Sequence, residues 1–154
     1  MKILVDGDSC PVKEAIVEIA SQRKIAVVFV VSTAGYFDRG WKVQTILVDS
    51  LPQAADIAII NLAEAGDIIV TQDYGLASIV LGKQGKAISP RGRIFRDRTI
   101  ESLLERRYLH HEARKAGVRI KGPKKRSAED ERRFRENFIR LLDECSHCNA
   151  ELKF

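Results

Sequence analysis

What this chain lacks narrows the field first. Its longest apolar run, "IAVVFVV" at residues 25–31, is seven residues long, where a bilayer span needs about 20. After Met1, one lysine and three apolar residues precede Asp6, too little for a signal-peptide core. Cysteines number three, an odd count in a chain with no export signal, so a reduced cytoplasmic protein is expected. "CSHC" at 145–148 has the spacing of half a structural zinc site, but no second pair exists. Residues 144–154 are therefore expected to be a flexible tail. No glycine-rich phosphate loop and no serine elbow is present, which removes two common routes to nucleotide and ester chemistry. Aromatics make up 6% and do not alternate with basic residues, so base-stacking platforms are not expected. His110, His111 and Glu112 miss the helical zinc spacing of two histidines four residues apart. Internal repeats and low-complexity tracts are also lacking.

What is present is an ordinary globular composition, 45% hydrophobic and 31% charged over 154 residues, enough for one domain with a full core. The charge is unevenly placed. Residues 1–90 hold 8 Lys/Arg against 10 Asp/Glu, residues 91–126 hold 13 against 4, and residues 127–154 hold 5 against 7. One segment thus carries a net +9 in a chain of net +5. That footprint suits a polyanionic partner; a solvated basic face is the plainer explanation.

Periodicity gives the organisation. "KILVD" reads as a buried strand. A helix follows with Pro11 in its first turn, Ser9 or Cys10 as its cap, and Val12, Ala15, Ile16, Ile19 and Ala20 as its buried face. "AVVFVV" at 26–31 is the continuous β-branched run of a strand covered on both sides. A third strand is expected near 43–48. The next helix has Ser50 and Gln53 as a capping box, Pro52 in its first turn and Gly66 as its stop. "DIIVT" is a fourth strand, "YGLASIVLG" a short helix and "KAIS" a fifth strand at the edge. Two charged amphipathic helices, near 99–116 and 127–143, complete the chain. This alternation predicts an α/β fold: a mainly parallel sheet flanked by helices, one domain over residues 1–143.

In such a sheet, sites form at the carboxyl ends of the strands. Asp6 closes strand one, Asp8 lies just beyond it, Asp73 follows strand four, and Asp56 lies early in the helix after strand three. Each has an ordinary explanation: Asp73 as a helix cap, Asp56 as a polar stripe, Asp8 as a turn residue. Their convergence on one rim is required by none of these. Clustered carboxylates repel unless cations neutralise them, and all-oxygen donors suit Mg²⁺ or Mn²⁺. Asp67 starts the fourth strand and falls at the opposite end, while Asp49 ranks below the four.

"DGDSCPVK" at 6–13, "AAD" at 54–56, "GDIIVTQD" at 66–73, "SPRGR" at 89–93 and "GP" at 122–123 resemble the YaiI/YqxD family, which is placed among the PIN-like nucleases. The resemblance implies a PIN-like fold with an acidic metal site formed by Asp6, Asp8, Asp56 and Asp73, holding Mg²⁺ or Mn²⁺. It adds Lys13, Arg91 and Arg93 as cations toward a phosphate. Tyr74 and Gly75 stand where many PIN nucleases have a further acidic residue.

The favoured expectation is a metal-dependent nuclease acting on RNA or DNA, RNA foremost, with the four aspartates as catalytic residues and metal ligands. "ILVDGDSCPV" also resembles the opening of haloacid-dehalogenase-type phosphatases, in which the first aspartate is a nucleophile and the second an acid/base; that family also needs a late lysine and a late acidic pair, whereas "GDIIVTQD" has different spacing and no cap domain is evident. A receiver domain with Asp49 as phosphoacceptor would need a helix in the short connection 32–41. A non-catalytic nucleic-acid-binding protein is the third reading.

Overall fold

The computed structural model describes residues 1–8, 10–33, 40–51, 53–119 and 124–151; the side chains of 98–100, 103 and 149–151 are not described. Six strands and five helices follow in the order β1 (Lys2–Asp6), α1 (Lys13–Gln22), β2 (Ala26–Ser32), β3 (Gln44–Val48), α2 (Ala54–Leu62), β4 (Ile68–Val70), α3 (Tyr74–Gly82), β5 (Lys86–Ile88), β6 (Ile94–Phe95), α4 (Asp97–Lys115) and α5 (Ala128–Glu151).

The strands form one sheet in the order β3-β2-β1-β4-β5-β6. All pairings are parallel except β5 with β6. The chain winds outward from β1 through β2 to β3, then crosses back to place β4 on the other side of β1. The gap between β1 and β4 is therefore a topological switch point, where the flanking loops part and leave a crevice at the carboxyl edge.

Side-chain alternation along each strand divides the core into two layers. Ile3, Val5, Val27, Phe29, Val31, Ile68, Val70 and Ile88 face α1 and α5. Leu4, Val28, Val30 and Ile69 face Ile59 of α2 and Leu76 and Val80 of α3. The helical face expected for α1 is the buried one, Val12, Ala15, Ile16, Ile19 and Ala20 all being in the core. α5 contributes Phe134, Phe138, Leu141, Leu142 and Cys145 to the same layer, so it is part of the domain core.

Several expected details differ. α1 has Val12 at its cap position with no side-chain cap bond, so Cys10, buried beside the strand, does not cap it; Ser9 lies outside the described residues. α2 starts after Gln53, which adopts a left-handed conformation and makes no capping bond. Ser50 pairs instead with the Thr33 hydroxyl at 3.1 Å. α2 ends at Leu62, and Gly66 (φ +87°) serves the turn into β4; Pro52 lies outside the described residues. β5 is not the edge, because the turn at Ser89–Gly92 folds β6 back beside it, closed by Ser89 N–H to Arg93 C=O at 2.8 Å and Gly92 N–H to Ser89 C=O at 2.9 Å.

The two C-terminal helices also depart from expectation. α4 is not evenly amphipathic: Leu104 packs against the small Ala77–Ala87–Phe95 cluster, and nearly all described side chains after it are exposed. α5 continues through 144–151 rather than ending in a tail at 144, because Cys145 lies one turn beyond Leu141 on the buried face. His147 Nδ1 contacts the Asp143 carbonyl at 2.7 Å, and Cys148 is exposed. "CSHC" is thus about one turn of α5, packed through Cys145. Among the described residues no helix is long and apolar enough to cross a membrane.

Candidate functional site

The site grows out of "VDGDS". Strand alternation puts Asp6 on the same face as Leu4, toward α2 and α3 rather than α1. Gly7 then passes so close to β2 that a Cβ there would stand 2.4 Å from Val31 Cγ1 and 3.2 Å from the Val30 carbonyl. Its own N–H donates to that carbonyl at 2.9 Å. Glycine between the two aspartates is therefore a packing requirement. Beyond it, Asp8 turns to β2 and accepts from Ser32 N–H at 2.9 Å and the Ser32 hydroxyl at 3.2 Å.

Across the switch point, β4 delivers Thr71 on the same face as Ile69. The Thr71 hydroxyl donates to Asp6 Oδ2 at 3.4 Å and accepts from Asp73 N–H at 3.0 Å, so one hydroxyl links the two strand ends. Asp73 caps α3: its Oδ1 accepts from Gly75 N–H at 2.8 Å and Leu76 N–H at 3.2 Å. The same oxygen lies 3.4 Å from an Nη of Arg107 on α4. Asp56 stands in the first turn of α2. It borders an open depression of about 180 Å³ together with Asp8, Ser32, Asp49 and Ser50.

Electrostatics tie these carboxylates together. Burial, then the negative charge of Asp56, raises Asp6 from 3.8 to about 6; the Thr71 hydrogen bond pulls the other way, and Asp8 and Asp73 add to the rise. Asp56 is also raised, by burial and then by Asp73, against the opposing pull of Arg107. Each of the four aspartates thus enters the charge balance of this rim. Asp67 does not: it is buried at the amino edge, bonded to Lys2 N–H at 3.0 Å, Lys2 Nζ at 2.6 Å and Glu64 N–H at 2.9 Å.

None of the three cations named from the sequence has a described contact with the rim aspartates. Lys13 begins α1, on the other face of the sheet, and lines a depression of about 320 Å³ with Cys10, Glu14, Glu131 and Arg135. Burial pushes the Cys10 thiol there up to about 11, so it stays protonated at neutral pH. Arg91 donates to the Lys124 carbonyl, and Arg93 binds the Ser89 hydroxyl through its backbone N–H at 3.1 Å. The "SPRGR" turn is in fact a docking point for α5. A Cβ on Gly92 would meet the Arg133–Phe134 backbone at 2.7 Å. Asn137 Nδ2 donates to the Gly92 carbonyl at 2.6 Å, and Arg126 to the Pro90 carbonyl at 2.6 Å. "GP" at 122–123 lies outside the described residues.

Sequence reasoning missed Thr71 and Arg107. Thr71 was within reach, since alternation from Ile69 puts it on the aspartate face. Arg107 sits 34 residues after Asp73 in a helix rich in arginine, and no local signal distinguishes it.

The donor set is oxygen only, and fits a hard divalent cation. Among the described residues, no three His, Cys, Asp or Glu side chains stand close enough to form a ready-made ligand group. Mg²⁺ ordinarily takes one or two carboxylates and completes its shell with water and phosphate oxygens, so the residues present remain compatible with it.

The arrangement of these motifs is matched by a family model described as "Uncharacterized BCR, YaiI/YqxD family", over residues 4–144. This chain belongs to the YaiI/YqxD family. Relatives bear the name UPF0178 protein: that of Alkaliphilus metalliredigens is 42% identical over 143 residues, covering 93% of this chain and 92% of its own. That of Bacillus cereus is 46% identical over 144 residues, covering 92% and 99%. Among solved structures, a mutant of Rae1 (YacP) from Bacillus subtilis aligns at 19% identity with a TM-score of 0.46, covering 93% of this chain and 97% of that one. A second structure of Rae1 (YacP) gives 16% identity and a TM-score of 0.42, covering 98% and 97%.

Proposed function

We propose that this YaiI/YqxD protein is a Mg²⁺- or Mn²⁺-dependent nuclease that hydrolyses phosphodiester bonds in nucleic acid, RNA foremost. The observation that carries this reading is the rim itself: Asp6, Asp8, Asp56 and Asp73 are electrostatically coupled at the switch point of a parallel sheet, with Asp6 raised to about 6. Uncompensated repulsion of this kind is costly for a fold and is relieved by a cation.

Asp6 and Asp73, linked through Thr71, would hold the metal, with Asp56 facing them from α2. A bound divalent ion supplies Lewis acidity and charge neutralisation at a phosphodiester. The remaining work falls to the chain. Thr71 fixes the Asp6 carboxylate. The α3 backbone N–H groups fix Asp73 and leave its second oxygen uncommitted among the described bonds. A rim carboxylate not engaged by the metal would accept a proton from an attacking water. Arg107 provides a positive charge beside the carboxylates for a phosphate oxygen.

The phosphatase reading is weaker, because "GDIIVTQD" lacks the spacing of the late acidic pair that chemistry needs; Asp8 accepts both Ser32 bonds on one oxygen and keeps the other. Non-catalytic nucleic-acid binding draws support from the lack of a ready ligand trio among the described residues. Incubation of end-labelled RNA and DNA with the protein and Mn²⁺ distinguishes these. Cleavage is expected, with loss of about 10²-fold or more in Asp6→Asn and Asp73→Asn. Intact substrate with the parent protein defeats the nuclease reading.

A further inference from the structure

We infer that the exposed half of α4 is a track that leads a single strand of nucleic acid to the aspartate rim, with Arg107 at its entrance, Arg114 further along it and Tyr108 as a base platform. The inference rests on the proposed nuclease site and adds the substrate's form and path to it.

α4 changes character along its length. Its first turns are anchored by Leu104 against Phe95 and Ala77. Successive residues advance by about 100° around a helix. Arg107, His111 and Arg114 therefore follow Leu104 along one flank, within about 80° of it, while Glu101, Glu105 and Glu112 lie about 60–100° from it on the other flank. The face that begins as an anchor thus becomes cationic. It does so where Arg107 reaches Asp73 at 3.4 Å. From Arg107 to Arg114 the helix advances about 10 Å, so the positive stripe leads directly away from the negative rim. A polyanion lying on it would arrive with one phosphate at Arg107, beside the carboxylates.

The aromatic on this surface selects the form of the strand. Tyr108 is 63% exposed and Leu109 57% exposed, on a helix with little else to cover them. On the helix surface Tyr108 neighbours Leu104 and His111 of that stripe, with Glu105 and Glu112 on its other flank; an exposed ring at the edge of a cationic stripe can stack an unpaired base, and bases in a duplex cannot reach it. Tyr108 was overlooked in the sequence because a single tyrosine does not make an alternating pattern. Arg107 is held by Asp73 in the free protein, and a strand phosphate would replace that carboxylate as its partner.

The test measures fluorescence anisotropy of a labelled oligouridine RNA and of a labelled RNA duplex with the full chain, in EDTA, across a salt series. The parent should bind the single strand more tightly than the duplex. Arg114→Ala should weaken single-strand binding about fivefold near 0.1 M salt and lower the log–log salt slope by about 0.7, the loss of one phosphate contact. Tyr108→Ala should weaken binding about tenfold with the slope unchanged, because stacking releases no counterions. Lys24→Ala, at the far end of α1 and the amino edge, serves as the control and should bind like the parent. Melting curves of the variants verify that each is folded. Preference for the duplex, an Arg114→Ala variant that binds like the parent, or a Lys24→Ala loss as large as that of Arg114→Ala would each overturn the track. RNA cleavage by the parent with unaltered binding by both α4 variants would sink the track and leave the nuclease; the expected binding pattern without cleavage would do the reverse.

Discussion

Replacing Asp6 by asparagine removes a charge that the fold holds at a cost. The carboxylate is raised from 3.8 to about 6, about 2 pKa units, chiefly by burial and by Asp56. At 1.36 kcal/mol per unit, the ceiling on that cost is about 3 kcal/mol. Asp6 is half-buried, and solvent screening reduces the realistic figure to about 1–2 kcal/mol. The sign follows from proton counts: between pH 3.8 and about 6 the folded chain binds more protons at Asp6 than the unfolded chain. The contribution of this group is therefore most favourable below the lower value and is lost as pH rises through the upper one. The asparagine variant has no such dependence, and its amide oxygen still accepts from Thr71. In EDTA, Asp6→Asn should match the parent near pH 4 and exceed it above about pH 7 by 1–2 kcal/mol, about 2–8 °C in Tm for a domain of this size. Mn²⁺ reverses the order. A ligand at about 100 times its Kd stabilises the folded parent by about 2.7 kcal/mol, and the variant should lose most of that gain. Differential scanning fluorimetry of both proteins over a pH series, with EDTA and with Mn²⁺, measures all four quantities. A variant less stable than the parent at pH 8 without metal would refute the repulsion argument. A parent whose Tm ignores Mn²⁺ would refute the metal site.

Two further outcomes probe what surrounds the rim. Gly7→Ala should destabilise by about 1–3 kcal/mol in chemical denaturation, because the new methyl would overlap Val31 and press on the Val30 carbonyl; a neutral result would mean that the Asp6–Asp8 turn is looser than its contacts imply. Asp67→Ala should cost about 2–4 kcal/mol, since it strips the partner from Lys2 and from two backbone N–H groups at a buried site. Its Mn²⁺-induced Tm shift should equal the parent's, and a lost shift would place the metal at the wrong edge of the sheet.

The periodicity of the sequence by itself determined the order of the first five strands and first three helices. A β-branched run such as "AVVFVV" is stable only when both faces are covered, and the alternation with helical segments forces parallel pairing. The same reasoning grouped Asp6, Asp8, Asp56 and Asp73 at one edge and set Asp67 apart, because strand direction alone fixes which end a residue occupies. Tertiary structure decided the rest. β6 exists because the "SPRGR" turn folds back on β5, and that turn is shaped by the α5 backbone packed against Gly92. Helix length past residue 143 depends on whether Cys145 finds a core to enter, and the core it enters is built by strands far earlier in the chain, from Ile3 on β1 to Ile88 on β5. The cations show the limit most clearly. Lys13, Arg91 and Arg93 are near the aspartates in the order of motifs, yet α1 and α5 lie on the face of the sheet opposite α2 and α3. Arg107 reaches Asp73 across 34 residues of chain because Leu104 seats α4 beside α3. A charge carries no local periodicity that says which way its helix will turn. Only the packing of its apolar neighbours does.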